Sequence, residues 1–361
     1  MKTTTQTNAL NRQHQDKIQA KIDSKTKPLG SLGKLESLAM QLALIQSQNK
    51  EEPIDKIKLS KPVMLIFAGD HGINKHNVSI APSVVTGQMV LNFLHGGGAI
   101  NCFCQTASID MKVIDCGILT PIQGDYSQLI QQRLGCETND FSTQPAMSLA
   151  QVEQGLCYGE ALVEQAINDG RFVLLLGEMG IANTSAAAAI FSALTPYSVE
   201  QCVGKGTGIT DEQLSVKITL IKAALTRLKK LKPSEKSEDP IIQIKTMLSE
   251  VGGFEIVQMV GTILAAAKAK LPVVIDGFIV SVAALVAIKI DSNVKDYLIF
   301  SHLSQEQGHQ LLLKEIGALA LLSLELRLGE GTGAALSFPL LQAAASFYNN
   351  MASFESAGVT V

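Results

Sequence analysis

The chain has 361 residues, 46% of them hydrophobic and 17% charged, with a formal net charge of −3. That composition supplies a sizeable core and argues against a nucleic-acid or anionic-membrane surface. Tryptophan is absent and aromatics make up 5% of residues, too few for platforms that stack single strands.

No apolar run approaches the roughly 20 residues that span a bilayer. The segment Met1-Lys2-Thr3-Thr4-Thr5 lacks the apolar region of a signal peptide, so a cytoplasmic location is expected. In chain order, residues 10–22 and 34–48 read as helices around the Lys25–Ser31 loop, and a polar linker runs from Gln46 to Pro62. Val63 to Ala68 reads as a buried strand ending at Gly69-Asp70-His71-Gly72. Helices near 83–94 and 98–107 lead to a second strand, Met111 to Cys116. A long variable stretch precedes a helix near 149–168, and a third strand, Phe172 to Leu176, ends at Gly177-Glu178-Met179-Gly180. Helices near 183–194, 211–230, 240–250 and 254–270 come next. Strand Pro272–Ile275 then ends at Asp276-Gly277. Helix 279–290, strand Tyr297 to Ser301, helix 305–317, strand 321–328 and a C-terminal helix complete the chain. Continuous apolar strands separated by helices predict an α/β fold, a mostly parallel sheet flanked by helices in Rossmann-like layers.

Four of these strands end in an acid beside glycine: Asp70, Glu178, Asp276 and Glu330. In a parallel sheet such ends share one edge, where open α/β sheets hold their ligands. Any one of them is explained as an acid in a strand-to-helix turn. Four, each flanked by small residues, read as an active-site rim. The richest segment is Leu326 to Leu336, where Glu330 stands between Gly329 and Gly331 and is followed by Thr332 and Gly333. Glycine allows a sharp turn, and the following helix points its first N–H groups into the same space. Two loops, Gly177 to Ser185 and Gly204-Lys205-Gly206-Thr207-Gly208, have the small residues that cradle a phosphate, and Lys217 follows the second. Neither is a P-loop or a dinucleotide fingerprint, but together they favour a phosphorylated small substrate. The six cysteines form no C-x-x-C pair and read as free thiols. His71, His76 and His95 follow no ligand pattern, so no metal site is expected.

A wider set of segments carries a family resemblance. These are Thr26 to Glu36, Phe67 to Gly72, Val78-Ser79, Gln88-Met89-Val90, Gly97 to Asn101, Gly177 to Thr184, Gly204 to Gly208, Gly252 to Glu255, Asp276 to Ile279, Ser301-His302 with Glu306, Leu326 to Leu336 and Met351 to Phe354. In order and spacing the chain resembles the nicotinate-nucleotide–dimethylbenzimidazole phosphoribosyltransferases nearly end to end. The family usually has proline where Leu29 stands and arginine where Lys205 stands. Lysine keeps the charge but lacks the bidentate fork. The resemblance implies that ribose 5-phosphate moves from nicotinate mononucleotide to 5,6-dimethylbenzimidazole with β-to-α inversion, in cobalamin nucleotide-loop assembly. It implies Glu330 as general base. Glu178 is the candidate for negative charge beside the sugar, with a loop-fixing acid as the alternative. Ser79, or Ser83, and Gln88 are implied at the azole, with Leu328 beside the base, and Gly177, Gly204, Gly206 and Lys217 on the phosphate side. Asp70 and His71 either orient substrate or form a buried structural pair, while Met89 and Phe93 read as core. No cofactor is implied. A homodimer is, with a small helical domain from residues 1–55 and about 340–361 packed on an α/β domain of residues 56–339. Two rivals are a transferase using phosphoribosyl pyrophosphate, which needs paired acids where only Asp276 stands, and a non-catalytic azole-binding protein, which would not need Glu330.

Overall fold

The computed structural model describes residues 7–206, 208–231 and 237–360. Two helices open it, α1 (Gln15–Asp23) and α2 (Lys34–Gln46), followed by β1 (Val63–Gly69), α3 (Val84–Leu94), α4 (Ala99–Ala107), β2 (Asp110–Gly117) and β3 (Leu129–Gln131). Then come α5 (Leu149–Asn168), β4 (Leu174–Met179), α6 (Asn183–Leu194), α7 (Val199–Cys202), α8 (Asp211–Lys229), α9 (Pro240–Val251) and α10 (Phe254–Lys268). The chain closes with β5 (Val273–Ile275), α11 (Phe278–Ile290), β6 (Leu298–Phe300), α12 (His309–Ile316), α13 (Thr332–Asn350) and α14 (Phe354–Ala357).

The six strands form one sheet in the order β3-β2-β1-β4-β5-β6, and every pairing is parallel. This is the doubly wound order, whose switch point lies between β1 and β4. Every residue of β1, β5 and β6 is buried, as strands covered on both faces require. Helix α10 packs against α5, α11 and β1 and is buried over most of its length. The two chain ends meet. A bridge joins Lys25 to Ser353, the Thr26 N–H donates to Ala352 O (3.0 Å), and α13 packs on α2. Residue 340 lies inside α13, a helix that also packs on α4 and β4. Among the described residues no helix is long and apolar enough to cross a membrane.

One expected strand is absent from the sheet. Residues 321–328 run alongside the end of β6 with a single parallel bridge, Leu322 to His302, and a few backbone bonds such as Leu321 N–H to Phe300 O (3.0 Å). Glu325 is left-handed (φ 57°), which interrupts a ladder, and Leu324 and Leu328 are about half exposed, so this apolar run is not buried on both faces. Conversely, β4 reaches further than expected. It pairs Ile66 with Gly177 and Phe67 with Glu178, so both residues belong to the strand rather than to the loop after it. Helix α12 begins at His309, four residues later than the pattern predicts.

Beneath the switch point, His71 Nε2 lies 2.8 Å from Glu255 Oε1, with both side chains fully buried. Burial works against the imidazolium, but the Glu255 carboxylate outweighs it and raises the pKa above 6.5. The pair's contribution to stability is therefore complete below the ordinary imidazole pKa and is lost as pH rises through the raised folded value. His71→Phe leaves Glu255 without its partner and should cost about 3–5 kcal/mol in urea unfolding at neutral pH. A change below about 1 kcal/mol would show that the pair does not hold the core.

Candidate functional site

The carboxyl edge of the sheet carries a cleft of about 300 Å³, lined by residues from β4, α3, the starts of α6 and α11, the 204–206 loop, α8 and the segment before α13. All four rim acids are buried: Asp70 is 1% exposed, Glu178 7%, Asp276 1% and Glu330 4%. Only Glu178 and Glu330 line the cleft. Asp70 accepts from the Thr86 hydroxyl (2.6 Å) and the Leu119 N–H (2.7 Å), and Asp276 accepts from the N–H groups of Gly331 (3.1 Å) and Ala334 (2.9 Å). His71 is held by Glu255 and is also absent from the lining.

Glu330 sits in a turn of three consecutive left-handed residues, Gly329 (φ 84°), Glu330 (φ 65°) and Gly331 (φ 88°). Glycine adopts that conformation freely. For a glutamate it costs about 1–2 kcal/mol, so surrounding structure has to hold it. The Glu330 N–H donates to the main-chain oxygen of Glu178 (3.2 Å), and Gly177 allows β4 to lie directly against the turn. A Cβ on Gly177 would stand 2.6 Å from Glu330 O. The Glu330 Oε2 atom is buried with no partner among the described residues. Burial raises the Glu330 pKa, the Ile100 N–H opposes the rise, and Asp276 adds to it.

Glu178 is pushed up to about 8, first by burial and then by Asp276, Glu255 and Glu330, while its bond from the Asn183 amide works the other way. Burial thus favours its protonated form. Lys217 is 1% exposed, and its amine donates to Thr184 Oγ1 (2.7 Å) and Gly204 O (3.4 Å). Burial lowers it to about 8 against the pull of Glu306. Glu306 is raised by burial, with Lys217 and Arg327 opposing. Lys205, which also lines the cleft, forms an exposed ion pair with Asp211 (2.7 Å).

Of the residues singled out from the sequence, Glu330, Glu178, Ser79, Leu328, Gly206 and Lys217 line one cleft. Gly177 and Gly204 lie behind it, against the Glu330 turn and Glu306 respectively. Gln88 is exposed on α3 and does not line the cleft, whereas Met89 does and Phe93 is core. Of the two candidate serines Ser79 lines the cleft, whereas Ser83 does not and accepts from the Asn74 amide (3.1 Å). Thr207 lies outside the described residues. Ile80, His302, Glu306 and Arg327 line the cleft without a role read from sequence. They sit in irregular segments, where no periodicity marks a facing side. Among the described residues no three His, Cys, Asp or Glu side chains converge as metal ligands. A second groove, of about 640 Å³, lies at the amino end of β2 around Asp110, Lys112 and Arg171, away from the edge where the rim acids gather.

Comparison with known proteins agrees with this geometry. Residues 7–359 match the sequence profile of a phosphoribosyltransferase family. The nicotinate-nucleotide–dimethylbenzimidazole phosphoribosyltransferase of Vibrio vulnificus is 56% identical over 352 residues, covering 98% of this chain and all of the relative. The enzyme of the same name from Vibrio cholerae is 51% identical over 352 residues with the same coverage. A crystal structure of the Thermus thermophilus protein of that name superposes with a TM-score of 0.86 at 37% identity, covering 96% of this chain and 98% of the other. With a buried glutamate and a lysine lining one cleft at the switch point of a doubly wound sheet, and with these relatives, the chain belongs to the nicotinate-nucleotide–dimethylbenzimidazole phosphoribosyltransferase family.

Proposed function

We propose that this enzyme transfers ribose 5-phosphate from nicotinate mononucleotide to 5,6-dimethylbenzimidazole, giving α-ribazole 5′-phosphate and nicotinate for cobalamin assembly, with Glu330 as general base. The observation that carries this reading is the buried Glu330 oxygen, without a partner among the described residues, in a cleft that has an apolar lining, a buried lysine and two exposed cationic side chains. Val78, Ile80, Val85, Met89 and Leu328 offer apolar surface for a flat azole, with Ser79 among them. Lys205, Gly206, Lys217 and Arg327 offer charge and backbone for a phosphate.

The azole nitrogen bearing the lone pair attacks C1′ from the face opposite the pyridinium, and the C1′–N bond to nicotinate breaks. The electron pair neutralises the pyridinium nitrogen, so the leaving group requires no proton. The proton on the other azole nitrogen passes to Glu330, which prevents a cationic product. A carboxylate with a raised pKa is a stronger acceptor for it. A cationic pyridinium or oxocarbenium in the cleft lowers the Glu178 pKa and favours its anion, which supports a charge-stabilising role beside the sugar. Direct displacement inverts the anomeric centre. The coupling of the anomeric proton in the NMR spectrum of the product should report the α configuration, and a β product would overturn the single-displacement route.

Lys217 is the proposed phosphate contact. Lys217→Met should raise the nucleotide KM about tenfold or more by removing one charge-assisted bond, with a smaller effect on the azole KM. In the free enzyme nucleotide binding should weaken as pH rises through about 8, where the amine loses its proton, and that alkaline loss should be missing in the variant. An unchanged nucleotide KM would place the phosphate elsewhere. We further propose a cytoplasmic homodimer, with the helical unit of the two chain ends as its smaller domain. The exposed leucines Leu29, Leu319 and Leu324 support a protein contact surface, and sedimentation equilibrium would test it.

A further inference from the structure

Helix α13 begins at the Glu330 turn yet has no cap of its own. Its N-cap residue is Gly331, which has no side chain to offer, and its first-turn N–H groups need acceptors. Two of them are met from another part of the sheet. Asp276, immediately after β5, accepts from the Gly331 N–H through Oδ2 (3.1 Å) and from the Ala334 N–H through Oδ1 (2.9 Å). Asp276 is 1% exposed and does not line the cleft, so it does not reach substrate. The residue immediately before these two groups is Glu330, whose left-handed backbone requires an external hold. We propose that Asp276 is a positioning residue for the reaction, fixing the Glu330 carboxylate against the azole by clamping the two backbone N–H groups that follow it.

This inference rests on Glu330 being the base. The charged and titratable groups facing the turn are Asp276 after β5, Glu178 in β4 and His302 after β6, whose Nε2 lies 3.6 Å from Asp276 Oδ1; the Ile100 N–H of α4 reaches Glu330. Asp276 is thus a negative neighbour of the base as well as its anchor. Removing its charge should make Glu330 a weaker base and move the acid limb of the rate profile to lower pH. A residue that kept the fold intact from a distance, without lying beside the base, would not move that limb.

The test is a cycle of four purified enzymes: the parent, Asp276→Asn, Glu330→Gln and the double variant. Glu330→Gln alone decides whether a base exists at that position. If it is as active as the parent, the base reading fails, and this proposal with it. If it is impaired, Asp276→Asn should lower kcat on the order of 10²-fold, the scale of a misplaced catalytic group, with both KM values nearly unchanged and the acid limb shifted down. The double variant should be no slower than Glu330→Gln within about threefold, because the two act as one unit. An active Asp276→Asn enzyme, an unmoved acid limb, or losses that multiply in the double variant would each overturn the proposal while leaving the base in place. Asn introduces an N–H donor facing two others, so Asp276→Ser, smaller and still an acceptor, provides the same comparison if the Asn variant does not fold.

Discussion

Glu330→Gln should lower kcat by about 10²–10⁴-fold, the usual size of a general-base contribution, while the protein folds and binds both substrates as before. Glutamine keeps the size and one acceptor oxygen of the side chain and loses only its capacity to take a proton. The pH profile supplies an independent signature. Burial, then Asp276, raises the Glu330 pKa above its ordinary 4.5, with the Ile100 N–H opposing. The parent's rate should therefore fall on the acid side at a pH above 4.5, and that limb should be missing from the residual activity of the variant. Steady-state rates from pH 5 to 9 would show it. An equally active variant with the same limb would remove Glu330 from its role and direct attention to Glu178, another carboxylate lining the cleft.

Gly177→Ala should damage both folding and turnover. The added methyl would lie 2.6 Å from Glu330 O and Gly331 N and 2.7 Å from Glu330 C. All three are backbone atoms, so no rotamer change relieves the contact. Overpacking of this kind costs about 1–3 kcal/mol, and displacement of the turn moves the base, so kcat should fall on the order of 10²-fold. Urea unfolding and steady-state kinetics on one preparation would measure the two effects together. A variant with normal stability and kcat but a raised nucleotide KM would instead make Gly177 a phosphate contact.

The same residue shows where sequence reading reaches its limit. The turn chemistry around Gly177 is visible as a small-residue loop, but its reason, a close backbone approach by a turn about 150 residues further along the chain, is a property of the packed sheet. Strands β1, β5 and β6 are legible because a strand covered on both faces is an unbroken apolar run. Residues 321–328 have the same look without the burial, since a run beyond the sheet edge meets no second layer. Strand β3 has three residues, none of them fully buried, and leaves no pattern at all. At the site, Glu330 and Lys217 are legible from chemistry and spacing. Asp276 is legible as a rim acid, but its hold on Gly331 and Ala334 is not, because nothing in the sequence connects residues more than 50 apart.

The most direct measurement is turnover. Purified enzyme would be incubated with nicotinate mononucleotide and 5,6-dimethylbenzimidazole, and both products followed by chromatography. Nicotinate and α-ribazole 5′-phosphate should appear in equal amounts, each dependent on the presence of the azole. An enzyme that binds the azole but releases no nicotinate, or releases nicotinate without forming the ribosylated azole, would contradict the proposed transfer.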